Sequence, residues 1–205
     1  PAPGVTTLDA YRAMGRLLTR PAVVFLLLAA ATLLCGFVAL YTGLQTTGPE
    51  ALAGDADALL AMRACALPAM LLVPLLAARG FARIPPGRRV FGALLLAGLT
   101  SGLVALLSGN DIGVVMLGAL LFVFVFAVAV AAPALVEAIG RLAGPARGAG
   151  VALYTFALFV GAGLGPQFAT APDGGYGTVA GGVAALLMCG AGMAWIGEKT
   201  TRAHR

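Results

Sequence analysis

The chain has 205 residues, of which 60% are hydrophobic and 10% charged, with a mean hydropathy of +0.99. Soluble domains carry about 25% charged residues, and a water-soluble fold of this length could not hide so much apolar side chain, so the solvent is lipid. The net charge of +5 and pI near 9.7 do not mark a nucleic-acid binder. The arginines flank apolar runs, where anionic headgroups and the cytoplasmic bias of Lys and Arg account for them.

Residues 1–20 are a lead-in. Leu8, Tyr11, Leu17 and Leu18 alternate with Arg12, Arg16 and Arg20 at helical spacing, which predicts a short basic amphipathic segment on the cytoplasmic surface. The chain opens on Pro1 with no short apolar core and cleavage site of a signal peptide, so it is expected to be the later part of a longer one. About 20 apolar residues cross the hydrocarbon core as a helix. The first such span is predicted over 21–44, with Pro21 at its start and Tyr41, Thr42 and Gln45 at its outer end. An acidic, Gly/Pro-rich loop (TTGPEALAGDADA) follows. The second span, 58–78, contains Pro68 and Pro74, which kink membrane helices.

Arg79 to Arg89 form a basic turn around Pro85-Pro86-Gly87. The third span covers 90–108, and Gly109-Asn110-Asp111 turns outside. The fourth, 112–136, carries the very apolar run LLFVFVFAVAV and is followed by a second basic loop from Glu137 to Gly148. The fifth span covers 149–169, Pro172-Asp173-Gly174-Gly175 turns outside, and the sixth covers 177–196 before a cytoplasmic polar tail at 198–205. Small residues recur at four-residue spacing at Gly98/Gly102, Gly161/Gly165 and Gly177/Gly181, where helix backbones can approach closely.

Twelve of the thirteen basic residues fall in alternate loops: Arg12, Arg16 and Arg20; Arg79, Arg83, Arg88 and Arg89; Arg141 and Arg147; Lys199, Arg202 and Arg205. This alternation predicts an all-α membrane protein with six transmembrane helices and both termini inside. Arg63 is the exception. It lies near the outer start of the second span, roughly 24 Å along a helix from Arg79, either as an interfacial anchor reaching Asp55 or Asp57 or as a gating or anion-attracting charge.

The three cysteines, Cys35, Cys65 and Cys189, lie within apolar spans without metal-ligand spacing, and the single histidine, His204, is in the polar tail. No metal and no cofactor is expected. An intramembrane serine protease needs a Ser-containing Gly motif and a histidine within the membrane; Ser101 and Ser108 have no such setting and the one histidine is in the tail, so the chain is not read as an enzyme.

Two inner features together resemble the major facilitator superfamily, in particular the C-terminal six-helix half of a drug- or efflux-like member. Ala82-Arg83-Ile84-Pro85-Pro86-Gly87-Arg88-Arg89 is similar to the family's cytoplasmic loop signature, an Asp-Arg pair followed by Gly-Arg-Arg. The Gly87-Arg88-Arg89 end matches, while Ala82 stands where the Asp would fall and the spacing is one residue longer. Gly161-Ala162-Gly163-Leu164-Gly165-Pro166 resembles the Gly-Pro motif of efflux members; read without the resemblance, Pro166 closes the helix. The resemblance covers essentially the whole chain and leaves six helices missing.

It implies alternating-access transport, with the first and fourth helices of the half lining the path, the second and fifth facing the other half, and the third and sixth facing lipid. Path candidates are then Thr32, Tyr41, Thr42 and Gln45, and Met116, Phe122, Phe124 and Phe126, with Glu137 at the inner mouth and Arg63 outside. The phenylalanines read equally as packing residues. Such a wall suits an apolar or amphipathic small molecule. No carboxylate lies deep in a span, so the acid that proton coupling requires is expected in the missing half. The implied partners are the lipid bilayer of a plasma (inner) membrane, the solute, protons, and the missing N-terminal half or a second copy. A half-size carrier working as a dimer and a non-transporting scaffold remain as alternatives.

Overall fold

The computed structural model describes residues 7–49, 52, 56–64, 67–79, 83–108, 112–170 and 174–203. Among these residues there are eight α-helices and no strand. Helix α1 (Thr7–Leu18) buries Leu17 and leaves Leu8, Tyr11 and Leu18 exposed beside Arg12 and Arg16. Arg20 adopts an extended backbone (φ −90°, ψ 111°) and Pro21 opens α2 (Pro21–Thr47), a first-turn position where a missing N–H costs nothing. The hydroxyls of Thr46 and Thr47 donate back to the carbonyls of Thr42 and Gly43 at 3.0 Å, which carries α2 three residues past the expected end.

Within the second apolar segment, expected as one helix over 58–78, the described residues are helical at α3 (Ala56–Ala64) and α4 (Leu67–Arg79). Helix α5 (Pro86–Ser108) again starts on a proline. Helix α6 (Val114–Ala143) runs well past Val136, so Glu137 and Arg141 belong to a helix and not to a loop. The run IGRLA continues the helical pattern until Gly144, whose φ of +54° suits only glycine. The Gly144 N–H donates to the Gly140 carbonyl, a single 3-10 turn (Gly144–Ala146) follows, and α7 (Arg147–Thr170) doubles back. Tyr154 Oη reaches the Ala132 carbonyl at 3.2 Å, confirming the antiparallel hairpin. Helix α8 (Tyr176–Ala203) absorbs the described part of the expected tail.

Five helical runs are long and apolar enough to cross a bilayer, and the longest of them, Val114–Thr170, is the one that reverses at Gly144. The architecture is that of an all-α membrane protein. Helices α2, α8, α5 and α6 close a four-membered ring, with α7 on the flank of α2 and α4 on that of α6. The molecule therefore has one row ordered α7–α2–α6–α4, with α8 and α5 packed behind it. Leu33, Leu40, Phe124, Leu135, Leu94 and Leu187 fill the ring's core.

Close approach fixes the α2–α7 pair. A side chain on Gly161 would run into the Ala31 carbonyl of α2, and one on Gly165 would meet Val38 Cβ at 2.6 Å. Behind the row, Ser101 is fully buried and donates to the Ala180 carbonyl at 2.8 Å, a hydrogen bond that crosses from α5 to α8. Hydrocarbon offers a serine hydroxyl no other partner, so this bond also sets the register of the two helices.

Candidate functional site

Apart from the hydroxyls of Thr32, Thr100 and Ser101, the ring is apolar along its length, and its charged side chains gather at its two ends. At the basic end, Arg88 and Arg89 sit on the first turn of α5, because Pro86 starts that helix and the Arg89 N–H already closes on the Pro85 carbonyl at 3.1 Å. A helix N-terminus carries partial positive charge and a C-terminus partial negative charge. Arg88 and Arg89 in the first turn of α5 are disfavoured by their own helix end. They are stabilised by glutamates of the antiparallel neighbours. Arg89, with a side chain 13% exposed, pairs with Glu137 of α6, whose second oxygen takes Arg141 one turn further on. Arg89 Nε also donates to the Ile84 carbonyl at 3.1 Å.

Arg88 reaches Glu198 of α8 at 3.8 Å, and Gly87 lets α5 lie directly against that glutamate side chain. Arg20, at the elbow before α2, donates to the Leu142 carbonyl at 2.8 Å. The basic ends of α2, α5, α6 and α8 are thus tied together around a cleft of about 430 Å³ lined by Leu26, Arg83, Pro85, Arg141, Glu198 and Thr201.

At the opposite end, the first turn of α8 meets the last turns of α2. Tyr176 is buried against Gly43. Arg63 of α3 donates to Gln45 Oε1 of α2 at 3.1 Å. Phe37 stacks on the fully buried Phe124 of α6, with centroids 6.4 Å apart and rings 12° from parallel, and packs against Tyr41 at 5.0 Å. A groove of about 280 Å³ opens here between α2, α3, α4 and α6, lined by Phe37, Tyr41, Arg63, Leu67, Met70 and Val125.

Of the residues singled out in the sequence, the structure brings Tyr41, Gln45, Arg63 and Phe124 together at this end. Thr42 lies beside them on α2, and its carbonyl accepts from Thr46. Thr32 is elsewhere: its hydroxyl donates to the Ala29 carbonyl and its side chain packs on Gly190 of α8. Met116 is exposed, Phe122 is half-buried against the core, and Phe126 turns to the α5 side beside Arg89 and Gly92. Gly87, Arg88 and Arg89 meet at the basic end, while Gly161 and Gly165 lie in the α2–α7 contact. Pro166 does not close its helix, which runs on to Thr170.

Asp55 and Cys65 lie outside the described residues. Three residues of these clusters had not been singled out: Glu198, Tyr176 and Phe37. Glu198 falls in the stretch read as the polar tail, and Tyr176 and Phe37 carried no reading in the sequence. Only the antiparallel pairing of α8 with α5 and α2 brings them to the clusters.

Comparison of the chain with protein-family models, with curated proteins and with solved structures finds no match.

Proposed function

We propose that the chain is a six-crossing half of a membrane carrier, moving a small apolar or amphipathic solute by alternating access. The crossings are α2, α3 with α4, α5, α6, α7 and α8, with the basic end on the cytoplasmic face of a plasma or inner membrane. One observation carries the reading, the order of helices in the front row. Helices α2 and α6, first and fourth of the six, touch at its centre, α7 and α4 flank them, and α5 and α8 lie behind. That is the arrangement the major-facilitator resemblance implies, with the first and fourth helices on the path and the second and fifth toward the other half. The paired charges at the basic end fit the same reading. They join helix ends that belong to different helices, so the brace can open and close as a unit when those ends separate.

In this reading the transport path follows the α2–α6 face, and Thr32 and Phe126, which turn away from it, have packing roles. Among the described residues the carboxylates lie near helix ends, so the titrating acid of any proton coupling belongs to the other half. The test is solute counterflow in liposomes holding the purified chain at densities that let two copies associate. Saturable, protein-dependent uptake of a preloaded lipophilic probe is expected, without accumulation driven by an imposed pH gradient. Uptake no faster than in protein-free liposomes overturns the carrier reading. Strong acid-driven accumulation by this chain alone overturns the assignment of the acid to another half.

A further inference from the structure

Arg63 is held by a neutral partner. Its guanidinium donates to Gln45 Oε1 of α2 at 3.1 Å. The guanidinium offers five N–H donors in a planar fork. Beside it lies a surface of a different kind: Phe37, Leu67, Met70 and Val125 line the groove, and Phe124 backs it. Tyr41 is the groove's other polar side chain. It lies within electrostatic reach of both Arg63 and Tyr176. Tyr176 is only 4% exposed, and its hydroxyl has no hydrogen-bond partner among the described residues. A buried hydroxyl without a partner is costly, and Arg63 and Tyr41 supply the hydrogen-bond donors that line the groove.

We infer that this groove binds a small amphipathic organic anion, an aromatic or short-chain aliphatic carboxylate. The carboxylate takes hydrogen bonds from Arg63 and from the Tyr41 hydroxyl, which in turn accepts from Tyr176. The apolar body lies on Phe37, Leu67, Met70 and Val125. The groove's size, about 280 Å³, falls at the small end of ligand pockets and suits one ring or a short chain. A cation is excluded by Arg63, and a sugar would find too few polar partners. The inference rests on the proposed carrier function and names its substrate class.

The experiment is equilibrium binding of 1-naphthoate and of its neutral isostere 1-naphthamide to the full chain in phosphatidylcholine nanodiscs. The acid should bind roughly tenfold or more tightly than the amide, the ratio that one charge-assisted hydrogen bond supports. Arg63→Gln should erase that preference, and Arg63→Lys should restore part of it. Tyr176→Phe should weaken naphthoate several-fold while leaving naphthamide unchanged. Equal binding of acid and amide, or a preference that survives Arg63→Gln, overturns the proposal. Adding phosphatidylglycerol should leave naphthoate affinity unchanged; competitive loss assigns the anion site to a lipid headgroup and overturns a soluble carboxylate. Naphthoate binding without counterflow keeps the site and removes the carrier reading. Counterflow that does not distinguish acid from amide keeps the carrier and removes the anion.

Discussion

Arg88 and Arg89 are neighbours in sequence and unlike in circumstance. Arg89 is largely shielded and makes a direct pair with Glu137, plus a hydrogen bond to the Ile84 carbonyl. The Arg88 side chain is 55% exposed and stands 3.8 Å from Glu198, itself 12% exposed, too far for a hydrogen bond. An ion pair of that length with one partner in solvent contributes about 0–1 kcal/mol, whereas hydrogen bonds to a shielded charge contribute about 1.5–3 kcal/mol. A double-mutant cycle on Arg89→Ala and Glu137→Ala should therefore show a coupling of about 1.5–3 kcal/mol in detergent unfolding. The cycle on Arg88→Ala and Glu198→Ala should stay below about 1 kcal/mol. Equal couplings would mean that the brace is a diffuse charge cluster and not a specific Arg89–Glu137 contact. The Gly-Arg-Arg run marks this place in the sequence but does not separate its two arginines. Which of them is shielded depends on where α6 and α8 lie, and that is set by packing far from the turn.

Helix–helix contacts in lipid rest on shape, because lipid tails are as apolar as the helices themselves. The α2–α7 contact shows this at Gly161 and Gly165, where a side chain on α7 would meet α2 main chain at Ala31 or the Val38 side chain. Gly163 lies between them and looks into open space. Gly161→Val should cost about 1–3 kcal/mol of stability or force α7 off α2, while Gly163→Val should change thermal unfolding little. Similar losses at both positions would point to helix propensity as the cause, and close approach would play no part.

Apolar runs and alternating arginines were enough to place most helices within a few residues. The errors fell at their ends. Glu137 to Ala143 and the described part of the tail read as polar loop and are helix: Glu137 and Glu198 pair with arginines of α5, while Arg141 and Lys199 find partners on their own helices. Clusters such as Phe37 on α2, Arg63 on α3 and Phe124 on α6 were only half legible, since no spacing in one helix reports a neighbour in another.

Taken whole, the molecule leaves broad apolar surface on the flanks of its front row. Leu71 on α4 and Phe159 on α7 are 73% and 70% exposed, and Leu99 on α5, behind the row, is 57% exposed. Exposure alone does not separate lipid from protein as the covering, since both are apolar, but the proposed function does. In a carrier built from two six-helix halves related by a two-fold axis along the membrane normal, α4 of one half faces α7 of the other. The back layer of α5 and α8 then faces lipid. Leu71, Phe159 and Leu99 each sit near the middle of their helices, so depth in the bilayer does not bias the comparison. In a background with Cys35, Cys65 and Cys189 replaced by alanine, a chain carrying Leu71→Cys mixed with one carrying Phe159→Cys should crosslink on mild oxidation into a species of twice the mass. The Leu99→Cys chain should not, alone or mixed with either. Crosslinking through Leu99 with none between Leu71 and Phe159 would place the association surface on the back layer, and the path could not then run along the α2–α6 face. If neither pair crosslinks although naphthoate counterflow is present, the six-helix unit transports without a second half, and the α2–α6 face must itself hold the complete path.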